Sequence, residues 1–192
     1  MKIFLTVLTF FLFLNSPVEA QQVPPPKDPA TKALIQNAYN GDMAKVQISV
    51  KKGAAVDAVD ANKRTALMWA AFRGHTAIVE YLYNQGANIN ARDSDGQTAL
   101  MYATSSSHPQ TVEFLIKNGA EVNAQSWKEG FTALITAAAM GDMQVVRLLL
   151  DNGADPDLKA KDGDTAASTA RQYHQQAVVD LLESRPVSGD QP

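Results

Sequence analysis

The stretch TALMWAAFRGHTAIVEYLYNQGANIN, residues 65–90, decides the fold, because its pattern returns along most of the chain. Two tags mark the pattern, a Thr-Ala-Leu near its start and a Gly-Ala near its end. The first tag occurs at 65–67, 98–100 and 132–134 and, shortened to Thr-Ala, at 165–166; the second occurs at 53–54, 86–87, 119–120 and 153–154. Both recur every 33 or 34 residues. A fixed period of this length is typical of a stacked repeat array.

Each unit predicts two short helices joined by a tight turn. Thr65 is placed to cap the first helix, because its hydroxyl can accept a hydrogen bond from a free N–H of the first turn. Gly74 permits the turn that ends this helix. The second helix is predicted from Thr76 to about Asn84, and Gly86 ends it in the same way. Polar residues then lead to the next unit.

The second helix carries an apolar stripe that keeps its register from unit to unit. One stripe position is valine throughout, at 46, 79, 112, 146 and 179. A single helix pair is too small to bury such a stripe, so stacked neighbours must bury it as one core. The sequence therefore predicts an all-α repeat solenoid over residues 30–185. Its five units are 30–61, 62–94, 95–127, 128–161 and 162–185.

Irregular residues in the two end units predict capping. In the first unit Lys32 replaces the capping Thr, and Lys45 and Ser49 replace apolar stripe residues. In the last unit Ser168 replaces an apolar residue and His174 replaces the turn glycine. We expect these substitutions to place polar atoms on the outer faces of the stack.

The units resemble ankyrin repeats, whose pattern runs T-P-L-H-x-A, then G-H, then V-V-x-L-L-L-x-x-G-A-x-x-N. Here the first two parts are matched together by residues 65–75, TALMWAAFRGH. The third part is matched by Ile78-Val79 and by Gly86–Asn90. Alanine replaces the family proline in every unit. Met68, Met101, Ile135 and Ser168 replace the family histidine, so the Thr–His hydrogen bonds of the family are expected to be missing. The resemblance extends to exported bacterial ankyrin-repeat proteins.

In ankyrin-like arrays a protein partner meets the concave side, which is formed by the turn tips and the first helices. Counting from the tags places several aromatic and arginine side chains there, and these types are enriched at interface hot spots. The predicted partner-binding residues are Tyr39, Asn40, Arg64, Phe72, Arg73, Arg92, Asp95, Trp127, Lys128, Phe131, Met140 and Tyr173.

Trp127 is the sharpest of these candidates because it lies in a lengthened loop. One extra residue falls between Asn123 and Gly130, so this loop should protrude. The alternative is that Trp127 folds back onto a neighbouring turn, and Phe72 could likewise lie along the next helix. Trp69 and Tyr102 lie inside first helices, where packing between units is favoured.

The sequence predicts neither catalysis nor a cofactor or metal. His75 and His108 occupy equivalent positions about 10 Å apart, too far to share an ion whose ligands lie at about 2 Å. Residues 93–96 and 162–164 resemble fragments of calcium loops but lack the remaining ligands. Asp and Gly at tight turns explain them better. No nucleophile or phosphate-loop motif is present.

The first twenty residues follow the pattern of a secretory signal peptide. A basic start precedes a twelve-residue apolar run, residues 3–14, which is shorter than the roughly twenty residues of a membrane span. Small residues predict cleavage after Ala20. Residues 21–29 (QQVPPPKDP) predict an extended proline-rich linker, and residues 186–192 a disordered tail.

The chain has no cysteine and a net charge of −3, which disfavours nucleic acid and anionic membranes as partners. We therefore expect a periplasmic, non-catalytic monomer that binds one folded protein, such as an enzyme that it inhibits or supports. A cell-wall hydrolase and an antioxidant enzyme are the two partner hypotheses. The alternatives are a secreted effector that binds host proteins and a scaffold for envelope assembly.

Overall fold

The computed structural model describes residues 29–184. The predicted signal peptide (1–20), linker residues 21–28 and the tail (186–192) lie outside the described residues. Ten helices form five antiparallel pairs. They are α1 (Pro29–Asn40), α2 (Met43–Lys51), α3 (Ala66–Phe72), α4 (Thr76–Asn84), α5 (Ala99–Ser105), α6 (Pro109–Lys117), α7 (Ala133–Met140), α8 (Met143–Asp151), α9 (Ala166–Gln172) and α10 (Gln176–Glu183). The predicted all-α repeat solenoid is confirmed.

The helices stack in two layers. The first helices of the units, α1, α3, α5, α7 and α9, each contact the next in one row. The second helices, α2, α4, α6, α8 and α10, form the other row. The predicted valine stripe lies buried between neighbouring units at all five positions. Stacking thus supplies the core that one helix pair could not.

Threonine caps start four of the five first helices, as the tags predict. The hydroxyls of Thr65, Thr98, Thr132 and Thr165 each accept the backbone N–H three residues further on. Where the family histidine is missing, two units close the cap in another way. The Met68 sulfur accepts the Thr65 N–H at 3.4 Å, and the Ser168 hydroxyl accepts the Thr165 N–H at 2.9 Å. The N-terminal donors of these helices are therefore satisfied locally.

Two histidines link neighbouring units, His75 between units one and two and His108 between units two and three. The His75 Nε2 lies 3.2 Å from the Tyr39 carbonyl, and the His108 Nε2 lies 3.1 Å from the Phe72 carbonyl. The His108 ring packs so closely on Gly74 that a Cβ there would lie 2.4 Å from a ring atom. Burial lowers the pKa of His108 below its usual value. Its neutral ring is a structural link between units.

Of the two stripe substitutions in the first unit, only one behaves as predicted. Lys45 projects into solvent. Ser49 is buried, and its hydroxyl donates to the Lys45 carbonyl at 2.9 Å and accepts from the Asn37 amide at 3.4 Å. The expectation that Ser49 puts a polar atom on the outer face is therefore wrong, because α2 packs this position against α1.

Candidate protein-binding surface

The first helices of units one to three are held together by packed aromatic rings. The Trp69 centroid lies 5.3 Å from that of Tyr39, 6.0 Å from Phe72 and 6.3 Å from Tyr102. Phe72 also packs edge-on against Tyr102 at 6.3 Å. Trp69 and Tyr102 are buried, as the sequence predicts. We call these four residues the aromatic cluster; they fill the space between the first three units.

Two predicted partner-binding residues belong to this filled region. Phe72 is 7% exposed because it lies along the next helix against Tyr102. Arg64 is 6% exposed, since its guanidinium pairs with the Asp60 carboxylate at 2.8 Å and lies 4.3 Å above the Trp69 ring. Neither side chain can meet a partner, so both assignments are wrong.

Arg92 is also engaged within the protein. Its guanidinium donates to the carbonyl oxygens of Gly96 at 3.2 Å and Gln125 at 2.9 Å, and it pairs with Glu121 at 3.1 Å. These contacts tie the turn that follows Arg92 to residues 121–125, which lead into the next turn. Arg92 therefore acts as a link between units, which its position in the repeat did not reveal.

The turn at residues 93–96 is held by a buried carboxylate. One Asp93 oxygen accepts the N–H groups of Asp95 and Gln97, and the other accepts the Tyr102 hydroxyl at 2.8 Å. Burial raises the pKa of Asp93, although these hydrogen bonds act in the opposite direction. Burial and then the Asp93 charge raise the pKa of Tyr102 well above its usual value. Residues 93–96 therefore form a tight turn, as the sequence predicts.

Among residues 29–184 no group of three acidic or histidine side chains is arranged to hold a metal ion.

The first helices of units three to five and the turns before them leave a mainly apolar groove. The place of Phe72 in the repeat is taken by Ser105 and then by Ala139, and that of Trp69 by Thr136 in unit four. The smaller side chains leave open the space that rings fill further back in the stack. The groove is lined by Gln97, Met101, Ser105, Ser126, Phe131, Ile135, Thr136, Ala139, Met140 and Thr169.

Trp127 lies in the turn that borders this groove. The turn closes between Ser126 and Phe131, whose backbone N–H and carbonyl pair at 2.9 Å. The equivalent turn one repeat earlier closes between Asp93 and Gln97, one residue fewer. The structure thus places the inserted residue at the tip of the turn.

The Trp127 side chain combines both of the positions expected for it. Its ring folds back onto Gly96 of the neighbouring turn, and the backbone N–H of Trp127 donates to the Asp95 carbonyl at 2.7 Å. A Cβ at Gly96 would lie 2.6 Å from the ring. Trp127 is nevertheless 55% exposed. It therefore offers a fixed aromatic surface to solvent.

The remaining predicted residues fall into two groups. Asp95, Lys128, Phe131 and Met140 lie with Trp127 in or beside the groove region. Tyr39, Asn40 and Arg73 lie in the first two units, where the Arg73 guanidinium is 5.1 Å above the Tyr39 ring, and Tyr173 lies in the last unit. The sequence missed Met101 and Ile135 as groove residues; the loss of large residues after Phe72 was the available signal.

Family models show what this architecture belongs to. A model of three ankyrin repeat copies matches residues 34–126, and a second ankyrin repeat model matches residues 105–150. The chain belongs to the ankyrin repeat family. Ankyrin repeats are generally non-catalytic interaction modules, so the family indicates a protein-protein interaction module. No curated protein matches the chain.

The ankyrin helices are short compared with a helix that crosses a bilayer. The longest of them, α1, has 12 residues. Within residues 29–184 no helix combines the length and hydropathy that crossing a bilayer requires.

Proposed function

We propose that this ankyrin repeat protein binds one folded protein through the groove and Trp127, and that binding masks or protects that partner. The observation that carries the proposal is the juxtaposition of the two features in one turn. Ser126 and Phe131 line the groove, and Trp127 lies between them with more than half of its surface exposed. Aromatic anchors beside an apolar cleft are typical of interface hot spots.

Rigidity supports the same proposal. The turn of Trp127 is tied to the preceding turn through the Asp95 carbonyl, which accepts the Trp127 N–H, and to the following turn through the Glu129 carbonyl, which accepts the Lys161 N–H at 2.9 Å. Side chains held this firmly lose little conformational freedom on binding. The exposed Lys128 and the half-buried Asp95 and Gln97 supply a polar rim around the apolar surface.

Compartment and partner are part of the proposal. The signal-peptide pattern and the predicted cleavage after Ala20 favour export to a periplasm. An exported module that binds one enzyme could inhibit it, as in self-protection against a cell-wall hydrolase, or support it, as with an antioxidant enzyme. We favour inhibition slightly. A secreted effector and an envelope scaffold are the alternatives.

Affinity capture from periplasmic extract tests the proposal. The wild type is compared with Trp127→Asp and Phe131→Asp. Ile48→Asp is the matched control, because Ile48 is an apolar residue 50% exposed on α2 and outside the groove. Loss of a hot spot costs about 2 kcal/mol or more. Both groove variants should therefore lose most of the captured protein at equal helicity, while the control retains it.

The outcomes separate the alternatives. Equal capture by all four proteins would show that the groove assignment is wrong. One stoichiometric enzyme supports masking or protection, and its activity with and without this protein decides between inhibition and support. Several unrelated envelope proteins would favour the scaffold. Mature protein found in the medium and absent from the periplasm would favour the effector.

A further inference from the structure

The groove continues the aromatic interface that joins the first helices of units two and three. In that interface the Phe72 ring packs edge-on against Tyr102, with 6.3 Å between the ring centroids. One and two repeats later, the same pair of positions holds small residues, which are Ser105 with Thr136 and Ala139 with Thr169. All four of these small residues line the groove. The groove therefore lies where the repeated interface lacks its rings.

The walls of the groove suit an uncharged aromatic ring. None of the described residues that line it carries a charge. Met101 and Met140 both lie in the wall, and methionine sulfur makes favourable contacts with ring edges. The hydroxyl groups of Ser105 and Thr136 donate to backbone carbonyls of their own units at 2.8 Å and 3.0 Å. These two hydroxyls therefore need no partner from a ligand.

Ser126 gives the groove a buried hydroxyl group that can pair with a ligand. The residue is 6% exposed, and its Oγ accepts the Phe131 N–H at 3.0 Å. Within residues 29–184 this hydroxyl donates to no other group, so its proton and one lone pair remain available. One repeat earlier the same position is Asp93, which accepts the Tyr102 hydroxyl at 2.8 Å. The repeat thus already pairs this position with a phenol.

We propose that the partner anchors in the groove through a tyrosine side chain. Its ring takes the place of the missing rings, and its hydroxyl pairs with Ser126 as the Tyr102 hydroxyl pairs with Asp93. A phenylalanine would leave the buried Ser126 hydroxyl without this partner, and leaving a buried polar group unsatisfied weakens binding. Tyrosine is also enriched at interface hot spots. This inference rests on the proposed function and names the group that the partner presents.

Methyl NMR of the protein labelled at its methionine methyl groups tests the anchor. The probes are para-cresol, which is the tyrosine side chain as a free molecule, and toluene, which lacks the hydroxyl. Methylcyclohexanol keeps a hydroxyl but has no aromatic ring. Met101 and Met140 report on the groove. Met43 and Met143 are the controls, because they begin the second helices α2 and α8 and lie outside it.

We expect para-cresol to shift the Met101 and Met140 signals until they saturate, while the control signals stay in place. It should bind about threefold to tenfold more tightly than toluene, the effect of one neutral hydrogen bond. Methylcyclohexanol should bind more weakly than para-cresol. Ser126→Ala should remove the preference for para-cresol over toluene. Ser94→Ala, which changes an exposed serine of the preceding turn, should keep it.

Several results would overturn the inference. If para-cresol causes no saturable shift, the groove holds no tyrosine anchor. Equal binding of para-cresol and toluene by the wild type would remove the role of the hydroxyl, and this comparison needs no variant. Equal binding of methylcyclohexanol would remove the need for a ring. Groove signals that change with protein concentration in the absence of a probe would show that a second copy occupies the groove.

Partner binding separates this inference from the proposed function. With para-cresol at about ten times its Kd, the affinity for the captured partner should fall about tenfold by competition. Unchanged affinity would overturn the tyrosine anchor. If Trp127→Asp and Phe131→Asp abolish capture while para-cresol neither binds nor competes, the proposed function stands and the anchor does not. If para-cresol binds but both groove variants capture the partner normally, both proposals are wrong.

Discussion

The two halves of the row of first helices share one backbone pattern and differ in the side chains between the helices. In units one to three, the aromatic cluster and the Asp60–Arg64 pair occupy the space between first helices. From unit three onward, Ser105 and Ala139 stand where Phe72 stands, and a groove remains. The comparison teaches that large side chains at these positions serve the stack, whereas their absence leaves a surface that a partner can use.

The largest effect expected from this contrast is on stability. Trp69→Ala removes the ring at the centre of the cluster and should lower the free energy of unfolding by about 3–5 kcal/mol. Trp127→Ala should cost less than about 1 kcal/mol, because that ring is more than half exposed. Urea unfolding followed by circular dichroism measures both. Equal losses would mean that the two tryptophans do not differ in role.

The next largest loss of stability is expected at the contact between Gly74 of unit two and His108 of unit three. Gly74→Ala forces an alanine to φ +68 and drives its Cβ against the His108 ring, and we expect a loss of about 2 kcal/mol. Gly86→Ala is the control, because Gly86 has φ +91 but no atom near its added Cβ. It should lose only about 1 kcal/mol. Matching losses would indicate that the histidine contact is not needed.

A large side chain placed in the groove should block partner binding, because it would fill the space as the rings do in units one to three. Ala139→Phe restores a ring at the repeat position of Phe72 and is expected to weaken partner binding about tenfold or more, a cost of about 1.4 kcal/mol. Ala77→Phe places the same side chain on the exposed face of α4 and should leave the affinity unchanged. Calorimetric titration with the captured partner measures both. Unchanged binding by Ala139→Phe would exclude the groove as the contact.

The smallest expected effect is the pH dependence of stability that arises from His108, at the same contact between units two and three. The pKa of His108 is lowered in the folded state because of burial, so the unfolded chain takes up the proton first as pH falls. The stability that neutral His108 contributes is complete above its ordinary pKa of about 6.5 and is lost as pH falls towards the lowered folded value. Urea midpoints at pH 7.5 and 5.5 should differ more for wild type than for His108→Gln. Gln175 occupies the equivalent position in the last unit.

Sequence periodicity predicted the repeated elements well because they depend on local chemistry. Threonine caps, glycine turns and the valine stripe each have their own signal within one unit. The fate of individual exposed-looking residues was harder to predict. Arg64 and Arg92 share a side-chain type with true hot spots, yet both are engaged by groups from the turns around them. Ser49 was misplaced because its partner Asn37 lies on another helix.

By itself, the sequence determined the repeat, its register, the helix ends and the position of the inserted residue within one loop. These follow from spacing and from the conformational preferences of single residues. Only the tertiary structure decided which concave side chains are buried, because burial depends on the size of the residue that the next unit contributes. It also placed Trp127 against Gly96 and at the groove together, since that position depends on hydrogen bonds between neighbouring turns.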